Sequence, residues 1–226
     1  MKNINIAIDG PAGAGKSTIA KMVSAKLGYI YVDTGALYRT IALYITENNI
    51  PDDKIEESLP NANVSLKFID GAQRVFLGDK DVSELIRTPE ISMAASRTSA
   101  IPAVRKYLFG TQQKIAAENN VLMDGRDIGT VVLPNADLKI YLTASSEARA
   151  QRRFLELQQK GVEANFEEVL RDIILRDEQD MNRAIAPLRQ AEDAVLVDTS
   201  ELNLQESLEA LCALVDERLP ALTRKA

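Results

Sequence analysis

The sequence predicts an α/β fold in which a parallel five-stranded sheet is flanked by helices, and three observations predict it. Short apolar runs at residues 4–9, 29–32, 121–124, 138–142 and 194–198 alternate with stretches of helical periodicity. Each run is nearly all apolar, the pattern of a strand covered on both faces. The first run leads directly into GPAGAGKST, a glycine-rich turn that opens a helical stretch.

Taken in order, INIAID at 4–9 is the first strand, and GPAGAGKS at 10–17 then matches the phosphate-loop pattern GxxxxGK[ST]. STIAKMVSAKLG at 17–28 repeats apolar residues at helical spacing and stops at Gly28. This order points the backbone N–H groups of residues 13–17 into one concavity at a helix N-terminus, where partial positive charge favours phosphate. Gly10, Pro11, Ala12, Gly13, Ala14, Gly15, Lys16, Ser17 and Thr18 are therefore the expected nucleoside triphosphate site. In it Lys16 would reach the β and γ phosphates and Ser17 would offer its hydroxyl to Mg²⁺.

The second strand runs into DTGALYR at 33–39, and the third into DGRDIGT at 124–130. Both motifs set Asp, Gly and Arg at the carboxyl end of a strand, where open α/β sheets bind ligands. Glycine beside arginine lets backbone and guanidinium approach the same anion. Between them, VSLKFIDGAQRVFL at 64–77 partly alternates and carries the turn pair Asp70-Gly71, so it reads as an antiparallel hairpin inserted at about 60–90 of a single domain spanning 1–226. Helices follow over 89–119.

Residues 145–188 form two long helical stretches broken near 161–165, the most arginine-rich part of the chain. Arg149, Arg152 and Arg153 share a face there. Arg176, Asp180 and Arg183 stand at i, i+4 and i+7, within roughly 60° of one face of a helix.

Composition narrows the chemistry. The chain of 226 residues is 46% hydrophobic and 27% charged, the balance of a globular protein. No apolar run approaches the roughly 20 residues of a membrane helix, and residues 1–8 contain no signal-peptide core, so a cytoplasmic protein without a membrane partner is expected. There is no histidine, which excludes Ser/His/Asp triads, His-ligated zinc and imidazole bases. The single cysteine, Cys212, excludes an internal disulfide and reads as a small core residue. A net charge of −6 argues against a nucleic acid polymer, so any phosphates are bound locally by placed Arg and Lys. A GTPase switch would carry an [NT]KxD motif, and the chain has no NK or TK dipeptide. The phosphate loop itself leaves other small-molecule kinases standing, for a different nucleoside monophosphate or for a metabolite.

DGPAGAGKST, DTGALYR, DVSELIRTPEIS, DGRDIGT and RDEQDMNRAIAPL, in this order, resemble bacterial cytidylate kinases, a family of P-loop nucleoside monophosphate kinases. The resemblance runs nearly end to end, and only the stretch beyond about residue 203 lacks a motif. It implies an adenylate-kinase-like P-loop kinase fold, with the hairpin in an enlarged CMP-binding region and residues 145–188 as a lid with its flanking helices. The implied reaction moves the γ-phosphoryl group of ATP to CMP or dCMP, with Mg²⁺ as cofactor. By the same resemblance Arg39 and Arg126 hold the acceptor phosphate, and Ser96, Arg105 and Asp127 face the cytosine. Arg176, Asp180 and Arg183 contact the sugar and neighbouring groups, with Thr34 nearby where the family commonly has Ser. Lys16, Arg126, Arg176 and Arg152 form the implied catalytic set, and Arg149 and Arg153 are further candidates to close on the transferring phosphate. A monomer is the expected state. The residue inventory suits this chemistry, because a phosphate acceptor has a second pKa near 6 and needs no histidine base.

Overall fold

The computed structural model describes residues 3–69 and 71–219. Strand β1 (Asn5–Asp9) passes through the phosphate loop into helix α1 (Lys16–Leu27), followed by β2 (Ile30–Asp33) and α2 (Thr34–Glu47). A short helix α3 (Ile55–Ala62) leads to β3 (Val64–Ile69), β4 (Ala72–Leu77) and the two-residue β5 (Lys80–Asp81). Helices α4 (Pro89–Thr98) and α5 (Pro102–Glu118) return the chain to β6 (Val121–Gly125). After a π-helical turn at Ile128–Val132 come β7 (Leu138–Thr143), α6 (Ser146–Gln159), α7 (Phe166–Asn182), β8 (Val195–Asp198) and α8 (Leu204–Arg218).

Five strands form one parallel sheet in the order β2-β6-β1-β7-β8. Its interior strands are apolar because both faces are covered: β6 is buried throughout, and β1 everywhere but its first residue. The edge strand β8 departs from the sequence expectation, since Leu196 stands 54% exposed in a run that reads as uniformly apolar. Side chains alternate across the sheet. Ile6, Ile8, Leu122 and Ile140 pack with Ile19 and Val23 of α1 and Leu211 and Val215 of α8. Ala7, Val32, Val121 and Met123 face the other way, onto Ala116 of α5 and Ile128 and Val132 of the π turn.

A third core joins α2, α4 and α5 to the insertion, around Leu37, Ile41, Ile86 and Leu108. The insertion is a three-stranded antiparallel sheet, β3-β4-β5, where the sequence suggests a hairpin alone. A strand of two residues carries too little alternation to be read from sequence. Helix α3 likewise falls in a stretch with no motif, and of the expected turn pair Asp70 lies outside the described residues while Gly71 has φ +75°. The insertion docks on the main sheet through Gln73, whose Oε1 accepts from Asp33 N at 2.8 Å and whose Nε2 donates to Asp33 O at 3.2 Å. Asp33 is the last residue of an edge strand, so this side chain caps an otherwise open edge beside the carboxyl ends of the strands.

The segment 145–188 is two antiparallel helices packed against each other, with Phe154 and Phe166 edge to face at 6.1 Å. Ser145 caps α6 by accepting from Ala148 N, and Asn165 caps α7 by accepting from Glu167 N and Glu168 N. Helix α7 ends at Asn182. Arg183 is already extended, with φ −62° and ψ 140°, so the i, i+4, i+7 argument holds for Arg176 and Asp180 and not for Arg183.

Candidate active site

The carboxyl ends of β1, β6 and β2 open into a cleft of about 690 Å³. It is lined by nine cationic and five acidic side chains, in a chain whose net charge is −6. Residues 12–18 of the phosphate loop line it, together with Thr34, Arg39, Ser96, Arg105, Arg126, Asp127, Arg152, Arg176, Asp180 and Arg183. Of the expected set, Gly10 and Pro11 lie outside the cleft lining. Gly10, at φ +147°, crosses β7 so closely that a Cβ would stand 1.9 Å from Leu142 O. Only glycine fits that crossing.

At the phosphate loop, α1 is preceded by Gly15, which has no side chain to cap the first N–H groups of the helix, so these remain available to an anion. Lys16 is 6% exposed and donates from Nζ to Pro11 O at 2.7 Å. Burial, then the Arg126 guanidinium, push its pKa down to about 7, against the pull of Asp124 and Asp9. An anionic phosphate placed beside it would favour the charged form. Ser17 Oγ donates to Asp124 Oδ2 at 2.8 Å, and Tyr31 OH donates to Asp124 Oδ1 at 3.0 Å. Burial, and then the neighbouring Asp33, raise the Asp124 carboxyl to about 6. Hydroxyl and carboxylate oxygens of this kind suit a hard divalent cation. Among the described residues no three His, Cys, Asp or Glu side chains gather into a metal cage, so such an ion would take its other ligands from water and phosphate.

Across the cleft from the phosphate loop the arginines are held by acids. Arg39 Nη2 donates to Asp33 Oδ2 at 2.8 Å, and Arg87 Nη1 reaches the same oxygen at 3.3 Å. Burial alone would raise the Asp33 carboxyl, but Arg39, Arg87 and the Ala36 N–H it accepts from hold it below the usual carboxylate value. Arg126 Nε donates to Asp180 Oδ2 at 2.8 Å. Burial and then Arg126 lower Arg176 to about 10, still a cation at neutral pH. Arg39 Nε and Arg176 Nε are buried and, among the described residues, without a hydrogen-bond partner. Buried donors left unpaired are unfavourable, and an anion between these guanidiniums would satisfy both.

Deeper in the cleft Asp127 accepts from Arg105 through Oδ2 and from Arg183 at 3.4 Å through Oδ1. Both Arg105 and Asp127 are under a tenth exposed. The Arg105 guanidinium lies 5.6 Å from the centre of the Tyr38 ring, a cation–π contact. Thr34 sits at the start of α2 and donates from Oγ1 to Asp124 O at 2.8 Å.

The α6 arginines divide. Arg149 is spent on the protein: Nε donates to Ala144 O, Nη1 to Ala12 O, and Nη2 to Ser146 Oγ and Asp177 Oδ2. Arg152 donates to Thr199 Oγ1 and to the carbonyls of Thr199 and Leu202 beyond β8, and Arg153 pairs with Glu156. Asp9, Tyr31, Asp33 and Asp124 are given no role by the sequence patterns, although three of them open the motifs DGPAGAGKST, DTGALYR and DGRDIGT. Leu202, Asn203, Leu204 and Ser207 also line the cleft. No pattern marks that stretch, because what it brings to the cleft is its place at the start of α8.

The chain resembles proteins of known family over most of its length. It is 54% identical over 217 residues to a cytidylate kinase of Caldicellulosiruptor bescii, covering 95% of this chain and 96% of the relative. With a cytidylate kinase of Carboxydothermus hydrogenoformans it shares 48% over 218 residues, covering 95% of this chain and 98% of the relative. A solved structure of an uncharacterized protein from Eubacterium ventriosum superposes with a TM-score of 0.53 at 12% identity, over 96% of this chain and 99% of that one, a likeness of fold. The family model for cytidylate kinase matches residues 6–217, and on that match and those identities the chain belongs to the cytidylate kinase family.

Proposed function

We infer that this protein transfers the γ-phosphoryl group of ATP to CMP or dCMP, giving ADP and CDP or dCDP. The observation that carries the reading is one cleft that joins the phosphate loop to two buried, unpaired arginine N–H groups and to the Arg105–Asp127 pair. In the transfer an oxygen of the acceptor phosphate bonds to the γ-phosphorus as the bond from that phosphorus to the β–γ bridging oxygen breaks. ADP leaves with that electron pair. The acceptor is dianionic near neutral pH and needs no proton removed, in keeping with a cleft that has no histidine.

Gly10, Pro11, Ala12, Gly13, Ala14, Gly15, Lys16, Ser17 and Thr18 form the ATP site, in which backbone N–H groups and the Lys16 ammonium face the phosphates. Arg39 and Arg126 bind the acceptor phosphate, and Arg126, Arg176 and Lys16 oppose the charge that spreads over the equatorial oxygens. Ser96, Arg105 and Asp127 read the base, while Asp180, Arg183 and Thr34 hold the sugar and its surroundings. Arg152 joins the catalytic set when residues 145–188 close as a lid and Arg152 leaves the Thr199 and Leu202 carbonyls. Closure keeps water from the phosphoryl group. Mg²⁺ fits at Ser17, with Asp124 behind it, and when bound it offsets charge on the transferring phosphates.

The roles proposed above draw on residues of this chain alone, and a monomer is the proposed working unit. The cationic side chains gather in the cleft of an acidic protein, which supports small phosphorylated substrates over a nucleic acid polymer. No helix among the described residues is long and apolar enough to cross a membrane; a cytoplasmic location is part of the proposal. The test is ADP release from ATP with CMP, dCMP, UMP, AMP, GMP and dTMP in turn. CMP and dCMP should lead the others in kcat/KM by at least tenfold, and a different leading acceptor would overturn the assignment.

A further inference from the structure

Asp9 closes β1 and makes none of the phosphate, sugar or base contacts assigned above. Strand alternation turns it to the face opposite Asp124: Asp9 is level with Gly125 and Tyr141, whereas Asp124 is level with Ile8 and Asp33. Its two oxygens accept from consecutive backbone amides, Oδ1 from Ile128 N and Oδ2 from Gly129 N, each at 2.7 Å. Those amides open the π-helical turn Ile128–Val132, a conformation that is rare in general and frequent at functional sites.

Chain continuity makes this carboxylate a bracket. On one side it is bonded to Gly10, the first residue of the phosphate loop. On the other it grips the turn that begins immediately after Arg126 and Asp127. Gly129 is shaped to the contact, because a Cβ there would stand 3.3 Å from Asp9 Oδ2 and 3.1 Å from Lys139 Cδ. Asp9 is 5% exposed, and among the described residues no cation pairs with it directly. Lys16 and Lys139 lie near it, as do Asp127 and Tyr141. Burial raises its carboxyl to about 6 even though both amides pull the other way. A buried charge that is disfavoured in this way is a poor choice for stability alone.

We propose that Asp9 is a positioning residue for phosphoryl transfer: it fixes the turn carrying Arg126 and Asp127 against the start of the phosphate loop, so that the acceptor meets the donor in line. The proposal rests on reading that turn as the CMP site. Small displacements matter here, because in-line transfer depends on the geometry of both phosphates at once.

Asp9→Asn is the direct test, since it keeps the size of the side chain but turns an NH₂ group toward one of the two amides. Wild type is assayed first, and failure to phosphorylate CMP there would sink the functional reading and not this proposal. In D9N, kcat/KM for CMP should fall at least tenfold. The Kd of a non-hydrolysable ATP analogue should stay within threefold. Hydrogen exchange at the Ile128 and Gly129 amides should quicken at least tenfold while that of β6 is unchanged. A CMP kcat/KM within twofold of wild type overturns the proposal, as does an equal loss for CMP and the ATP analogue, which would make Asp9 a support of the phosphate loop. If D9N does not fold, Gly129→Ala presses on the same contact from the other side. It should show the same loss confined to CMP, and equal losses for both nucleotides overturn the proposal there too.

Discussion

Arg126 Nε donates to Asp180 Oδ2 at 2.8 Å and so ties the turn after β6 to the last turn of α7 across the cleft. The pair is about four-fifths or more buried on each side, which places it between a surface ion pair of small worth and a buried one whose loss is severe. Asp33 does the same for Arg39, and Asp127 for Arg105 and Arg183. Each carboxylate holds a guanidinium in a chosen orientation before any phosphate arrives. This preorganisation lets several arginines share one small cleft without mutual repulsion dominating.

Arg126→Ala is expected to weaken the use of CMP and hardly touch ATP. A charge-assisted contact is worth roughly 1.5–3 kcal/mol, so kcat/KM for CMP should fall by about 10- to 150-fold. Calorimetry with an ATP analogue should move little. A large loss of ATP affinity with CMP use intact would reverse the two halves of the cleft.

Gly10→Ala is expected to cost about 4 kcal/mol or more, because its Cβ would lie 1.9 Å from Leu142 O at a φ of +147°. Neither backbone can retreat without breaking the β1–β7 pairing. Urea denaturation reads the loss directly, and a midpoint close to that of wild type would show that β7 stands further from the loop than this.

Asp9 also predicts a pH dependence of stability. Its carboxyl is raised from 3.8 to about 6, so between those values the folded chain holds the proton more firmly than the unfolded one. The stability this provides is complete below about pH 3.8 and is lost as pH climbs through 6, a change of about 3 kcal/mol at 1.36 kcal/mol per pKa unit. Asparagine does not titrate. The stability of wild type relative to D9N should therefore decline by up to about 3 kcal/mol from pH 4 to pH 7.5, and a flat difference would show that Asp9 does not titrate in that window.

Much of this fold was legible because it repeats simple patterns. The apolar runs of β1, β6 and β7 fall within a residue of their structural bounds, and the motifs that end β1, β2 and β6 do meet in one cleft. What stayed hidden depends on contacts between segments far apart in sequence. Tyr31 and Asp124 are 93 positions apart, and only the pairing of β2 with β6 brings them together. Arg183 reaches the cleft because the chain leaves α7 at Asn182, which helical periodicity cannot show. Arg152 illustrates the limit from the other side: its residue type suits a phosphate, yet its guanidinium is bonded to Thr199 and Leu202.

Base choice should turn on Asp127. Cytosine offers an N4 amino donor beside the N3 and O2 acceptors, whereas uracil has the O4 carbonyl in place of that donor and a proton on N3. A carboxylate can accept from N4 while a guanidinium donates to N3 or O2, and Asp127 and Arg105 are already joined at the deep end of the cleft. Against uracil the carboxylate would meet an acceptor and the guanidinium an N–H. Buried groups left unpaired in this way discriminate more strongly than a missing methylene could. Asp127→Ala should lower kcat/KM for CMP by roughly 2 kcal/mol or more and narrow the CMP to UMP ratio. Asp127→Asn should do similar damage to CMP, because it also weakens the hold on Arg105 and Arg183, while its amide can turn a donor toward O4 and help UMP. The measurement is kcat/KM for both nucleotides with wild type and the two variants. If both nucleotides declined in equal proportion, Asp127 would be holding Arg105 and Arg183 in place rather than reading the base, and recognition would pass to Ser96 and Arg105.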